Sequence, residues 1–197
     1  MPPLVSTNEM SPAPSTAARH EYFEAELHNE DSMAARDTIQ MLTRYNAWAN
    51  KTLFEAMAAL PAGETNKERP TIFGNMTNTL NHIYVVDLIW QAHIEQRPHG
   101  VAALNTVLFA DLNELWPAQQ AIDGWFIDWG DALSEAAADE IVHFTLIGGR
   151  QSKMRRSEIV VHVVNHTSYH RGFVADMFCQ IPARPPLTDL PVFLSGD

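Results

Sequence analysis

Cysteine is nearly missing from this chain. Cys179 is the one thiol in 197 residues, which excludes an internal disulfide and a thiolate metal cluster and leads us to expect a reducing, cytoplasmic setting. Basic residues are scarce as well. Thirteen lysines and arginines stand against 24 acids, a formal charge of -11, and a surface of that sign repels phosphate backbones and anionic membranes. Neither a nucleic acid nor a membrane is expected as a partner. No apolar run approaches the roughly 20 residues that a spanning helix needs, and the opening MPPLVSTNEM lacks the basic start and apolar centre of an export signal. Internal repeats are absent, and strand signals are confined to one place.

What the chain does have is apolar bulk at helical spacing. Hydrophobic residues make up 46% of it, with nine Phe, five Trp and four Tyr, enough for one good core. Residues 1–32 are rich in Pro, Ser, Thr, Ala and acid and read as a flexible tail or a loosely packed short helix; residues 33–197 read as one domain. From Met33 a first helix carries Ile39, Leu42, Tyr45, Ala49, Leu53, Met57 and Leu60 before Pro61 and Gly63 stop it. A second runs through Met76, Leu80, Ile83, Val86, Trp90 and Ile94 and ends before Pro98 and Gly100. The third places Leu115, Ile122, Phe126, Trp129 and Leu133 on one face, and Pro117 predicts that it starts near Leu115 or Trp116. VHFTLIGGRQSKMRR, with Gly148 and Gly149 at its middle, predicts a short hairpin. Ser157 is expected to cap a fourth helix with a stripe of Val160, Val163, Thr167, Val174, Met177 and Ile181, ended by Pro182. Leu187, Leu190, Val192 and Phe193 are expected to pack back onto it. The predicted fold is an all-α four-helix bundle with a short β-hairpin between helices three and four.

The fourth helix contains HVVNHTSYHRG, with His162, His166 and His170 four residues apart. Four residues turn about 400° and rise about 6 Å, so each adjacent pair shares a face. His162 and His170 are about 12 Å apart along the axis, too far to share an ion held by nitrogens at about 2.0 to 2.1 Å. One adjacent pair can therefore clip a metal, either His162 with His166 or His166 with His170. Sites with an open position take three protein ligands, and His82 in TLNHIYVVD borders the inward face of helix two, where bundles build such sites. Asp87, five residues on and about 140° round the helix, is less well placed. His20, His28, His93, His99 and His143 read as solvent-exposed. Cys179, nine residues past His170 and about 180° round, reads as packing rather than ligation. Core hydrogen bonding of His82 and a chance histidine pair are the plain alternative to a metal site.

RYNAWAN, FGNMTNTLNHIYVVDLIWQ and HVVNHTSYHRG, in that order, resemble the DinB/YfiT-like family of bacterial proteins, named for DNA-damage inducibility. The resemblance runs from about Met33 to Phe193, and NHxxxHRG is its most specific element. It implies a four-helix bundle with one divalent metal held by three histidines, usually in a homodimer. Residue by residue, it places the ligands on His82, His166 and His170 and leaves His162 as a pocket or supporting residue. Phe173 departs from it, since many members carry a glutamine there.

The resemblance further implies a small-molecule substrate and, among characterised relatives, transferases and an isomerase that use a low-molecular-weight thiol such as bacillithiol or mycothiol. A metal deprotonates a coordinated thiol, and with Cys179 facing away that thiol comes from outside. Thiol transfer or detoxification is thus the leading expectation, with zinc or nickel first among the metals three imidazoles accept. Hydrolysis through metal-bound water is the alternative within enzymes; a non-catalytic, metal-clasped stress-response binding protein is the alternative outside them. Arg171 is expected to pair with a structural acid, Asp87. Tyr45, Trp48, Asn78 and Tyr169 are candidate pocket walls, with core packing or capping as the competing role.

Overall fold

The computed structural model describes the backbone of residues 16–196 and, within the first helix, side chains from residue 36 onward. The chain divides into a unit Met1–Ala34, described only as the N-terminal stretch of the first helix, and a unit Ala35–Asp197 that holds everything else. The elements are α1 (Thr16–Ala58), a 3-10 turn (Glu64–Asn66), α2 (Met76–Ile94), α3 (Leu112–Ala132), the single turn α4 (Glu135–Ala138), β1 (Ile141–Thr145), β2 (Gln151–Arg155), α5 (Arg156–Phe178) and α6 (Leu190–Ser195). Helical backbone thus begins at Thr16 rather than Met33, in a stretch rich in Ala and Glu whose propensity needs no apolar stripe.

The four long helices share a core. Leu53, Phe54 and Met57 of α1, Leu80 and Ile83 of α2, Leu115 of α3 and Met177 and Phe178 of α5 form one apolar cluster. A second joins Val86 and Trp90 to Ile122, Phe126, Ile159 and the inward hairpin residues Val142 and Phe144. The helix α2 is buried nearly all round, from Met76 and Thr77 to His93 and Ile94, as a central helix must be. The hairpin lies where the sequence predicts it. Its antiparallel register pairs Val142 with Met154 and Phe144 with Ser152, and Gly148 and Gly149 supply the positive φ values, 103° and 89°, that close it.

Local chemistry moved several boundaries. Asp111 caps α3 through the N–H of Asn113 at 2.6 Å, so the helix starts at Leu112 and runs through Pro117 in its second turn. Arg155, not Ser157, is the N-cap of α5; the Glu158 carboxylate accepts its backbone N–H at 2.8 Å. Past α5, Leu190 and Phe193 do pack back, with the Phe193 ring 5.9 Å from Tyr45 and 5.6 Å from Trp48. They do so on the short helix α6, which Pro191 in its first turn starts and which periodicity is too brief to reveal. Leu187, contrary to expectation, is 67% exposed.

The C-terminal end of α2 is fastened to the hairpin. Gln96 takes a left-handed φ of 54°, and the N–H groups of Gln96 and Arg97 return to the carbonyls of His93 and Ala92, a Schellman closure that usually takes glycine. A side chain there costs about 1 to 2 kcal/mol. The Gln96 amide offsets this by donating to the carbonyls of His93, at 2.6 Å, and His143, at 3.3 Å, which ties the end of α2 to β1.

Candidate metal centre

The helices α2 and α5 pack along their lengths, and His82 of α2 meets His166 and His170 of α5 there. Its Nε2 lies 3.1 Å from His166 Nε2 and 3.2 Å from His170 Nε2, and among the described residues these three form the one group of His, Cys, Asp or Glu side chains close enough to hold a metal ion. Ligand atoms at about 2.0 to 2.1 Å in a tetrahedral shell sit about 3.3 Å apart. The observed separations fit that closely.

The protonation states fit as well. His82 Nδ1 lies 2.8 Å from the Leu104 carbonyl, which can only accept, so Nδ1 holds the proton and the Nε2 lone pair faces the other two rings. Burial lowers His82 below its usual range, against the opposing pull of that carbonyl. Burial, then the neighbouring rings, push His166 down to about 3 and His170 down to about 4. Near neutral pH all three are unprotonated imidazoles, the form that ligates a metal. Phe73 covers the site, stacked on His82 at 4.4 Å and edge-on to His170 at 5.4 Å. It is held by the turn before α2, where Gly74 at φ 79° closes the chain and its carbonyl accepts the Arg69 N–H at 2.7 Å.

A cavity of about 290 Å³ opens beside His166, lined chiefly by apolar residues including Val86, Ile89, Trp90, Leu104 and Ile147. His162 lines it too, its ring 5.8 Å from that of His166, and burial lowers its pKa. The four candidate wall residues do not line this cavity, although the Tyr169 ring lies 5.1 Å from that of His170. Tyr45 donates its hydroxyl to the Thr188 carbonyl at 2.9 Å, Trp48 packs on Phe193, Asn78 gives its backbone N–H to the Asn75 cap, and Tyr169 is 62% exposed.

The DinB family profile matches residues 33–197. The chain belongs to the DinB family. It is also similar to protein DinB of Bacillus subtilis (strain 168), 27% identical over 160 residues that cover 78% of this chain and 91% of that one. Membership and the three-histidine cluster together are compatible with a metal-binding protein. No helix among the described residues is long and apolar enough to cross a membrane.

At Phe173, where the resemblance implies glutamine, the ring stands 5.6 Å from that of His170, and His170 Nδ1 is buried without a hydrogen-bond partner among the described residues. Cys179 is exposed at the end of α5, because the helix stops at Phe178 before its neighbours can cover that side; it stands apart from the three-histidine group. His143 is exposed as expected and His99 is half-buried, but His93 is buried, with Trp90 of its own helix edge-on to it and Phe144 of β1 stacked on it; the second ring comes from an element its own sequence neighbourhood does not announce. His20 and His28 lie outside the described side chains.

Arg171 does not pair with Asp87. Its Nη1 donates to Asn46 and Asn50, each at 2.9 Å, and its Nη2 to Ser168 at 2.8 Å. Asn50 in turn donates to both oxygens of Asp123 at 3.0 and 3.1 Å, and Gln119 bridges Asp123 to Asp87 at 3.0 Å on each side. The reason is geometric: the asparagines of α1 stand between guanidinium and acids. Burial pushes Asp123 up to about 6, and burial with the charge of Asp123 raises Asp87 well above the carboxylate range.

A raised carboxyl pKa stabilises the fold at low pH and loses that contribution as pH rises. For Asp123 the loss runs from the ordinary value of 3.8 to about 6, an effect of about 3 kcal/mol. Asp123→Asn is therefore expected to make the unfolding free energy rise more, or fall less, than that of the parent protein between pH 4 and 6, as followed by urea denaturation. Parallel pH profiles for the two proteins would show that Asp123 is ionised throughout.

Proposed function

We propose that His82, His166 and His170 hold one divalent metal ion, zinc or nickel, and that this DinB-family protein is an enzyme acting on a small molecule bound beside it, by thiol-dependent transfer or detoxification. The observation that carries the reading is the convergence of three neutral imidazoles, with His82 Nε2 3.1 and 3.2 Å from the Nε2 atoms of His166 and His170, beside an apolar cavity of about 290 Å³ that His166 lines. Bound there, a divalent ion supplies the Lewis acidity that deprotonates a ligated thiol or water.

The chain's own residues support the remaining requirements. Leu104, through its carbonyl, fixes the His82 tautomer and lines the cavity as well. The apolar walls limit water around a reacting group. His162 is an imidazole in the cavity that the proposed ligand set does not use, kept neutral near pH 7 by burial, and so able to take up a proton. With Cys179 exposed beyond the end of α5, the thiol is external. Among the described residues no fourth donor joins the three histidines, which favours a site with an open position over a closed structural clasp.

The test is spectroscopic. Cobalt-substituted protein is expected to develop a sulfur-to-metal charge-transfer band when glutathione, bacillithiol or mycothiol is added, and to accelerate conjugation of the active thiol to an electrophile. Absence of the band with all three, together with cleavage of an activated ester, would replace thiol transfer by hydrolysis. Absence of any turnover would favour the metal-clasped binding protein.

A further inference from the structure

A second cavity, of about 410 Å³, lies at the C-terminal end of α2, and its lining runs against the character of the chain. In a protein with 24 acids and 13 bases, this lining contains His93, Arg97, His99 and His143 and no carboxylate. The backbone N–H of Val101 donates to His99 Nδ1 at 3.0 Å, which leaves His99 Nε2 as the ring's N–H donor in the neutral form. Arg97 uses Nε on Glu95 and Nη2 on Gln91; its Nη1 has no hydrogen-bond partner among the described residues. The Gln96 side chain clamps the two walls together through the His93 and His143 carbonyls.

The same three segments build this cleft and the chamber beside His166. Along α2 and the turn that closes it, Val86, Ile89 and Trp90 line the chamber, Ala92, Gln96 and Arg97 line the cleft, and His93 lines both. The connection after α2 contributes Val101 to the cleft and Leu104 to the chamber, and the hairpin contributes His143 to Thr145 to the cleft and Leu146 and Ile147 to the chamber. The two spaces share His93 as a wall; one is apolar and lies next to the three-histidine centre, and the other is lined by Arg97 and ring N–H donors.

We propose that the two spaces act as one groove that binds an amphiphilic small molecule, with its apolar body in the chamber beside His166 and a carboxylate in the cleft among Arg97, His99 and His143. A carboxylate suits the donors because one free guanidinium nitrogen and a few ring N–H groups match two acceptor oxygens. The inference deepens the reading of the site as an enzyme centre and rests on it for the claim that the molecule is a substrate; binding is measured independently of turnover.

Calorimetric titration of the full-length protein as purified, its metal content determined, compares octanoate, 1-octanol and acetate. Octanoate is expected to bind at least about tenfold more tightly than either of the others, the effect of adding a charge-assisted hydrogen bond to apolar burial. In the double variant Arg97→Gln, His143→Gln, octanoate should fall to the affinity of octanol, while octanol, which reads only the chamber, should be unchanged and so report an intact fold. Ile147→Trp, filling the chamber, should reduce octanoate to the affinity of acetate. Equal binding of octanoate and octanol by the parent protein would overturn the proposal. So would an octanoate advantage that survives the double variant and disappears in His166→Ala, because the carboxylate would then sit at the histidine centre. If the purified protein holds no metal yet shows the predicted pattern, the groove stands and the metalloenzyme reading fails.

Discussion

Replacing His82, His166 or His170 by alanine is expected to take the protein's metal content from stoichiometric to background, while His162→Ala retains it. The expectation rests on the contacts: His82 Nε2 is 3.1 and 3.2 Å from its two partners, whereas His162 offers no atom to that group and has its ring tilted against Trp90 at 4.8 Å. With one imidazole removed, two donors remain, one fewer than the protein ligands usual for an open site. Elemental analysis of protein purified without a histidine tag checks the result, with circular dichroism to show that each variant is folded. Loss of metal in His162→Ala combined with retention in His170→Ala would mean that the other helical pair is the clip, and retention in all four would leave the cluster as core histidines.

The second large effect is expected at Arg171. Arg171 is 3% exposed and its guanidinium engages Asn46, Asn50 and Ser168; burial lowers its pKa, against the raising pull of Tyr45 and then of Asp123 and Asp87. Arg171→Met keeps much of the volume and removes the charge and all of those donors. The asparagine oxygens and the nearby acids are then buried without compensation, a situation that costs about 3 to 5 kcal/mol when a buried charge network is broken. The urea midpoint at pH 7 should fall accordingly with an unchanged slope. Arg171→Lys should recover only part of the loss, since one ammonium cannot span partners that the planar guanidinium reaches from two nitrogens. A change below about 1 kcal/mol in Arg171→Met would put this residue with ordinary surface arginines.

Much of the fold is legible in the sequence because helices announce themselves. The stripes of α1, α2, α3 and α5 and the glycine pair of the hairpin are local patterns, and they lie in the structure where the spacing puts them. His166 and His170 share a face for the same local reason. The meeting of His82 with them is legible only through the family resemblance and the inward placement of α2. The illegible part depends on groups without a side-chain signature: the Leu104 carbonyl that orients His82 is a backbone atom in a connecting segment, and any residue type could have supplied it. Phe73 opens the segment FGNMTNTLNHIYVVDLIWQ, yet its role as cover comes from the turn at Gly74 rather than from its spacing. The expected pairing of Arg171 fails because charge alone points to an acid, while the packing of α1 interposes two neutral amides. His93 is buried with the help of a ring that local sequence does not bring to it, Phe144 arriving from the hairpin.

The sequence separation of the three histidines has a consequence for how the centre forms. His166 and His170 become neighbours as soon as α5 is helical, but His82 is 84 and 88 residues away from them along the chain. In the unfolded chain bringing such distant groups together is an entropic loss that grows as the logarithm of the intervening length, so the complete triad exists only once α2 has docked on α5. An ion captured by all three therefore acts as a non-covalent cross-link between distant parts of the chain, and its release rate would report the opening of the α2–α5 seam rather than the fraying of either helix alone.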